Sequence, residues 1–407
     1  MPVLTIPTPF ILFISAAGIV QAVFLAGLLY FHPKSDRSVT IFLSLHILTI
    51  AVFMMMPVAQ LFFTWHTIIL LVPFQFLIGP GLYLYVRSFK ERVSWQKAWS
   101  HFLLFAGFFI ADIFYYFYFR NKYPSADSIP EAVLFSSHAY VHIIVRNIQM
   151  LGYYFLSRRE LNRYQKSIRH LYSETSRISL SWVRWFVNGF LLLIITVFIL
   201  FFLVVQYPQN FSLWILINTA VITPYIYAVT FKGIGQLTLW QIEPGKNKEN
   251  IEKEIVQAQQ IELSVKQMKP AQIIPKGFPD TKLNEILSRI TALMEKDKLY
   301  QEPELTLQAL ADQTGIPPYQ VSQVINDGFK KSFYDLINGY RVEEAKRLLL
   351  DPKNNNYTIL SVGFEAGFNS KTTFNTVFKK FTGQTPTEYK LKKVADKHIA
   401  AFNKVAE

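Results

Sequence analysis

The 407-residue chain contains no cysteine, which removes disulfide frameworks, thiolate zinc sites, iron–sulfur clusters and cysteine nucleophiles together. Charge is also scarce, at 17% of residues against about a quarter in globular proteins. The last third has no runs of alternating apolar and polar residues of the kind half-buried strands need. What the chain has instead is hydrocarbon: 51% of residues are hydrophobic and 16% aromatic, which excludes a disordered protein. Yet 41 Lys and Arg face 28 Asp and Glu, a formal net charge of +13, while mean hydropathy is +0.22. A very basic soluble protein should be more polar, so two unlike regions are being averaged. Splitting at Phe231 separates them: residues 1–231 hold 16 basic and 7 acidic residues, and 232–407 hold 25 and 21.

A bilayer core about 30 Å thick needs roughly 20 apolar residues of helix. Seven stretches in residues 1–231 qualify: Phe10–Phe31, Thr40–Ala59, Thr67–Tyr85, Ala98–Phe119, Ala132–Phe155, Trp185–Val205 and Phe211–Val229. Lys and Arg are retained on the cytoplasmic side of a membrane. Loops one, three and five carry 2, 4 and 7 basic residues, 13 in all, whereas the opposite side has only Arg120 and Lys122. The expectation is a seven-span domain with its N-terminus outside and everything after Phe231 in the cytoplasm. No positive charge precedes the first apolar run, so a cleaved signal peptide is not expected.

Ionisable groups inside such spans are functional candidates, because unpaired charge in hydrocarbon is costly. Asp112 lies in the fourth stretch, and His138, His142 and Arg146 recur at four-residue intervals on one face of the fifth. Asp112 is placed to pair with Arg146 or with a histidine, either as a buried contact between helices or as the polar part of a sensing pocket. H-x-x-x-H can chelate a metal, but there is no adjacent Glu of the H-E-x-x-H kind and no third ligand, so no metal site is expected. No catalytic residue and no cofactor site is expected either. Gly79-Pro80-Gly81 and Pro224 should kink or break their helices.

Residues 232–279 read as a polar, proline-bounded linker. Ile251, Ile255, Ala258, Ile261, Val265 and Met268 follow a three–four spacing that suits either a solvated helix or a short coiled coil between two protomers through 247–270. From Asp280 the pattern is one of short amphipathic helices with clear start signals. Thr306, Ser332, Thr358 and Ser370 stand where N-caps belong, and Thr385-Pro386-Thr387-Glu388 is a capping box with proline at the first helical position. Two pairs of short helices, each joined at a glycine (Gly315, Gly367), flank one long helix. Two short helices around such a turn form a helix-turn-helix unit, and two copies are far more specific than one.

The segment 280–393 resembles the AraC/XylS family of bacterial transcription regulators, through LTLQALADQTGIPPYQVSQVIN, FYDLINGYRVEEAKRLL and TILSVGFEAGFNSKTTFNTVFKKFTGQTPTEY. It departs from the family at Val362-Gly363, where Ile-Ala is usual. The seven-span half is similar, less specifically, to multi-pass sensors that precede this domain in some bacterial regulators. The fold class expected is all-α: a membrane domain (1–231), the linker, a double helix-turn-helix domain (280–393) and a tail (394–407).

The resemblance implies double-stranded DNA as the partner and the bacterial inner membrane as the location. Recognition helices present the N-terminal half of their outer face to base edges in the major groove. Those positions are Tyr319, Gln320, Ser322, Gln323 and Asn326 on the first, and Lys371, Thr372, Asn375, Thr376 and Lys379 on the second. Phosphates are expected to meet Lys330, Lys331, Arg341, Lys380, Tyr389 and Lys390. The function expected is a membrane-tethered regulator, not an enzyme, responding to a small-molecule or envelope signal, with proteolytic release of the DNA-binding half as a further route. The competing class is a transporter or intramembrane enzyme with a secondary DNA-binding domain.

Overall fold

The computed structural model describes residues 8–32, 37–59, 69–91, 93–124, 133, 136–175, 180–207, 211–239, 280–354 and 356–406. The architecture is all-α, and no extended strand occurs among the described residues. The chain divides into two compact units. One comprises Met1–Arg163 with Leu180–Lys248, and the other Tyr164–Ser179 with Glu249–Glu407.

The first unit begins with α1 (Thr8–Phe31) and α2 (Arg37–Ala59), which pack along each other. A 3-10 segment, Val72–Leu77, leads into α3 (Ile78–Ser88). Short turns at Trp95–Ala98 and Trp99–Phe102 then lead into α4 (Leu103–Lys122). Next come α5 (Ser137–Leu171), α6 (Ser181–Gln206) and α7 (Phe211–Leu239). Each stretch marked in the sequence thus carries helix. By length and apolarity four are able to cross a membrane: Leu12–Phe31, Arg37–Met55, Trp95–Lys122 and Ser181–Gln206, with Leu216–Val229 a shorter apolar helix. The third stretch differs from expectation, being a 3-10 segment followed by an eleven-residue helix. The fifth is longer and more polar than a simple span, because α5 continues for 35 residues through its arginine-rich end.

Large apolar side chains are exposed on α4 and α6, among them Ile110, Phe114, Phe117, Leu192, Ile195, Phe198 and Phe202. Such continuous apolar faces are unfavourable against water and suited to a bilayer or a partner surface. The glycines of Gly79-Pro80-Gly81 permit close approach rather than a kink. A Cβ at Gly79 would sit 2.8 Å from the Tyr153 ring, and one at Gly81 would sit 3.1 Å from the His46 backbone. Pro80 lies in the first turn of α3, where no intrahelical partner for an N–H is needed. Pro224 lies inside α7, which continues through it.

The second unit holds α8 (Asp280–Glu295), α9 (Leu307–Thr314), α10 (Pro318–Gly328), α11 (Phe333–Leu350), α12 (Ile359–Glu365), α13 (Lys371–Thr382) and α14 (Pro386–Ala406). The segment 394–406, expected as a tail, is the continuation of α14. The linker residues 240–279, with the coiled-coil candidate 247–270, lie outside the described residues. Two cores form, one on each side of α11. Leu310, Ala311, Val321, Val324, Phe333 and Ile337 belong to the first; Ala345, Val362, Phe368, Phe374, Val377 and Phe378 belong to the second.

Candidate nucleic-acid interface and the polar cluster of the first unit

The start signals read from the sequence are made as hydrogen bonds. Thr306, Ser332, Thr358 and Ser370 accept from the backbone N–H three residues on, at 3.1, 3.1, 3.0 and 3.1 Å. Thr385 N–H donates to Glu388 at 2.8 Å while Glu388 N–H donates to the Thr385 hydroxyl at 3.3 Å, completing the capping box. Gly315 (φ 67°) and Gly367 (φ 94°) take the left-handed conformation at the two turns. At Gly367 there is also no room, since a Cβ would lie 2.6 Å from the Tyr300 carbonyl oxygen.

These turns fix the outward faces of α10 and α13. Val321, Val324 and Ile325 point into the first core and Phe374, Val377 and Phe378 into the second. On α10, Tyr319 is exposed and Gln320, Ser322, Gln323 and Asn326 are half-buried; on α13, Lys371, Thr372, Thr376 and Lys379 are exposed and Asn375 half-buried. Gln320 Nε2 donates to Tyr319 Oη at 2.9 Å, which orients both on the first turn. Lys330, Lys331, Lys371 and Lys379 are exposed and Lys390 half-buried, and none of the five is ion-paired among the described residues.

Three expected phosphate contacts, Arg341, Lys380 and Tyr389, engage partners within the second unit, and Arg341 alone of them is buried. Arg341 is fully buried. Its Nε donates to Tyr300 O (2.7 Å) and its Nη2 to Glu302 O (2.7 Å), Pro303 O (3.3 Å) and Ser173 Oγ (3.2 Å). Burial pulls its pKa down to about 10, so it stays charged at neutral pH. It therefore cannot meet DNA phosphates, and instead clamps the turn that precedes α9. Lys380 Nζ is bound to Asp335 Oδ1 at 2.6 Å. Burial opposes ionisation of Asp335, but hydrogen bonds from Lys380 and Ser332 outweigh it and hold its carboxyl below the usual range. Tyr389 packs edge-on against Phe378, with centroids 5.4 Å apart.

Sequence reasoning missed the part played by the segment after α5. Tyr172 forms an isolated antiparallel bridge with Thr306. Ser173 N–H and Oγ both donate to Leu305 O, at 3.2 and 2.7 Å. Asn338 Nδ2 on α11 donates to Ser173 O at 2.8 Å. Thr373 Oγ1, in the first turn of α13, donates to Glu174 Oε1 at 3.3 Å, and the Arg169 guanidinium lies 5.8 Å from the Tyr334 ring centroid. These partners are more than 130 residues away in the chain, and no periodicity in a polar loop announces them.

In the first unit Asp112 gathers both histidines. His138 Nε2 lies 2.6 Å from Oδ1, and His142 Nε2 lies 3.3 Å from Oδ2, within ion-pair distance but off the line a hydrogen bond requires. Tyr115 stacks on His138 at 3.7 Å. Arg146 does not join them; its Nη1 donates to Gln75 Oε1 of the 3-10 segment. Among the described residues no group of three potential ligands is arranged to hold a metal. His46, not singled out from the sequence, is fully buried and ties three helices together, with Nδ1 2.9 Å from Ile78 O and Nε2 3.2 Å from Tyr225 Oη. A histidine in an otherwise apolar stretch was the available signal.

Residues 310–392 match a family model described as "Helix-turn-helix domain". Over 111 residues the chain is 29% identical to proteins described as uncharacterized HTH-type transcriptional regulators of Staphylococcus aureus, strains COL and MSSA476. The match takes in 27% of this chain and spans only 14% of the length of those relatives. No solved structure matches the chain.

Proposed function

On the premise that the C-terminal region is a DNA-binding helix-turn-helix domain of the AraC type, we propose that the chain is a membrane-tethered, one-component transcription regulator. In this reading the first unit spans the inner membrane seven times with its N-terminus outside. A signal received there controls DNA binding by α10 and α13 in the cytoplasm, and no chemical step is catalysed. The thirteen cations of loops one, three and five support the orientation. The exposed cations of α13 and the half-buried outward amides of α10 and α13 support base and phosphate contact.

The observation that carries the coupling is the docking of Tyr172–Glu174. This segment follows directly on α5 in the chain, and α5 also bears His138, His142 and Arg146. It is bonded to Arg341 and Asn338 of the helix between the two helix-turn-helix units, and to Thr373 of the second recognition helix. A shift or rotation of α5 would withdraw Ser173 and Glu174 from these partners and change how the two recognition helices are held. A ligand acts on this equilibrium only through its different affinity for the two arrangements.

The test is a genome-wide binding profile of the full chain in its native membrane, followed by a reporter driven from a promoter so identified. Discrete binding sites are expected. Replacement of Tyr172, Ser173 and Glu174 by glycine should leave the protein bound to the operator while abolishing the response to growth condition. Alanine at Asp112 or His142 should abolish the same response with no substrate flux lost. A folded protein with no specific DNA complex at low salt sinks the proposal, and a measurable transport or hydrolysis that these substitutions abolish favours the competing class.

A further inference from the structure

Only the start of α14 is packed into the DNA-binding unit. Tyr389 lies against Phe378 of the second core, but from Leu391 to Asp396 every residue is exposed, Leu391 at 67% and Val394 at 42%. The helix nevertheless runs on to Ala406, past residue 392 where the match to the helix-turn-helix family ends. A short helix without tertiary contacts is marginal in water, because most helical stability comes from packing an amphipathic face.

Such a face is written in this segment. Leu391, Val394, Ala395, Ile399, Phe402 and Val405 follow the period of one helix side, within an arc of roughly 140° at 3.6 residues per turn. His398 is the one ionisable residue inside that arc. Lys390, Lys392, Lys393, Lys397 and Lys404 all fall outside it, and Asp396 is the only acidic residue from 390 to 406. An apolar stripe opposite a lysine-rich face is the pattern of a helix lying in the plane of a membrane interface, with its stripe in the acyl boundary and its cations among anionic headgroups.

Other partners satisfy only one of the two faces. Duplex DNA would meet the lysines and leave the stripe in water. A second copy would cover the stripe, but paired helices are secured by opposite charges beside a narrower seam. Here the charges flanking the stripe are Lys390, Lys392 and Lys397, which repel their counterparts on an identical helix. An anionic bilayer accommodates both faces at once.

We propose that α14, from Leu391 onward, is an interfacial helix that docks on anionic phospholipid of the membrane holding the first unit. The proposal rests on the reading of the first unit as membrane-embedded and adds a second attachment to that membrane. The first unit keeps α14 close to the lipid surface, so a modest intrinsic affinity suffices. Because Tyr389 joins α14 to α13, docking sets the orientation of the second recognition helix to the bilayer.

The chain has no cysteine, so one introduced thiol carries a nitroxide label at a single place. The test uses the full chain in single-copy nanodiscs of phosphatidylcholine, with or without phosphatidylglycerol, labelled at Ala395→Cys on the stripe or at Asn403→Cys outside it. Collision with oxygen, which enters lipid, is compared with collision with a water-soluble nickel chelate. With phosphatidylglycerol present, oxygen should dominate at Ala395→Cys and the chelate at Asn403→Cys. Omitting phosphatidylglycerol should lower the lipid-exposed fraction at least tenfold, as should Lys393→Glu, Lys397→Glu and Lys404→Glu together. The lipid comparison needs no substitution beyond the label, so a misfolded lysine variant does not decide the outcome. Both labels equally open to the chelate in the anionic discs overturns the proposal while leaving the membrane reading intact. Shielding of Ala395→Cys that ignores lipid charge, or that arises only in many-copy vesicles with label–label broadening, gives the stripe to another partner and overturns it too. A chain that stays soluble without lipid refutes the membrane reading itself, and this proposal with it.

Discussion

Arg341 separates the two ways of reading this domain. As an exposed phosphate contact it would contribute to DNA affinity and little to folding; as a buried clamp it does the reverse. Replacing it with alanine removes donors to three backbone carbonyls between Tyr300 and Pro303 and to the Ser173 hydroxyl. A buried acceptor left unsatisfied costs about 1–3 kcal/mol. Some of the three carbonyls will recover a water, so the loss including the space left behind is about 3–5 kcal/mol, the range for breaking a buried charged network. For a unit of this size 1 kcal/mol moves the midpoint by roughly 4 °C, so the C-terminal unit should melt roughly 12–20 °C lower. Arg341→Lys should recover little, since one ammonium cannot replace a fork that spans Tyr300 and Glu302. The assay is thermal unfolding of the full chain followed by hydrogen exchange in α11 and α13. It is paired with binding to a nonspecific 30-base-pair duplex across a salt series, below the midpoint. The slope of log affinity against log salt should not change, whereas loss of a phosphate contact lowers it by about 0.9. A variant of unchanged stability with a reduced salt slope would refute the clamp.

Gly363→Ala restores the residue usual at this position in the AraC/XylS family, and should nevertheless destabilise. The added Cβ would sit 2.6 Å from Phe374 Cδ1, a ring itself hemmed in by Phe368 and Phe378. An overpacking cost of about 1–3 kcal/mol exceeds the roughly 1 kcal/mol gained from helix propensity. Adding Phe374→Leu should recover part of the loss, a non-additivity that a double-mutant cycle detects. Glu344 is held below its ordinary pKa of 4.5, first by the hydrogen bond from Arg347 and then by Lys298, against a smaller opposing effect of burial. A depressed carboxyl stabilises the fold fully above its unfolded pKa and loses that contribution as pH falls through the folded one. The stability advantage of wild type over Glu344→Gln, measured by denaturant unfolding, should therefore be full above about pH 5 and vanish on further acidification. An advantage constant with pH would contradict the ion pair.

Local signals were the most legible part of the sequence. Each N-cap and each glycine turn from Thr306 to Glu388 depends on residues within a few positions of one another, and the hydrogen bonds and positive φ values lie where the spacing put them. The inward positions Val321, Val324, Phe374 and Phe378 followed from a 3.6-residue period. Arg341 misled because a basic residue amid Tyr340, Val342 and Glu343 has the same sequence context whether it faces solvent or a ring of carbonyls from a distant turn. Of the two partners the sequence offered Asp112, the structure takes the histidines and leaves Arg146 to Gln75.

By itself the sequence determined an all-α chain, an apolar half with 13 of its 16 basic residues clustered in three of the segments between apolar stretches, and two capped helix-turn-helix units. Each is a matter of composition or of contacts between near neighbours in the chain. Only the tertiary structure decided that Ser173 and Glu174 belong with the DNA-binding unit, that Arg341 is a clamp, and that Arg146 is bound to Gln75 with no carboxylate partner among the described residues. Those outcomes depend on side chains brought together from 71 to 199 residues apart. At that separation a residue's partner is set by how whole helices pack, and local pattern carries no record of it.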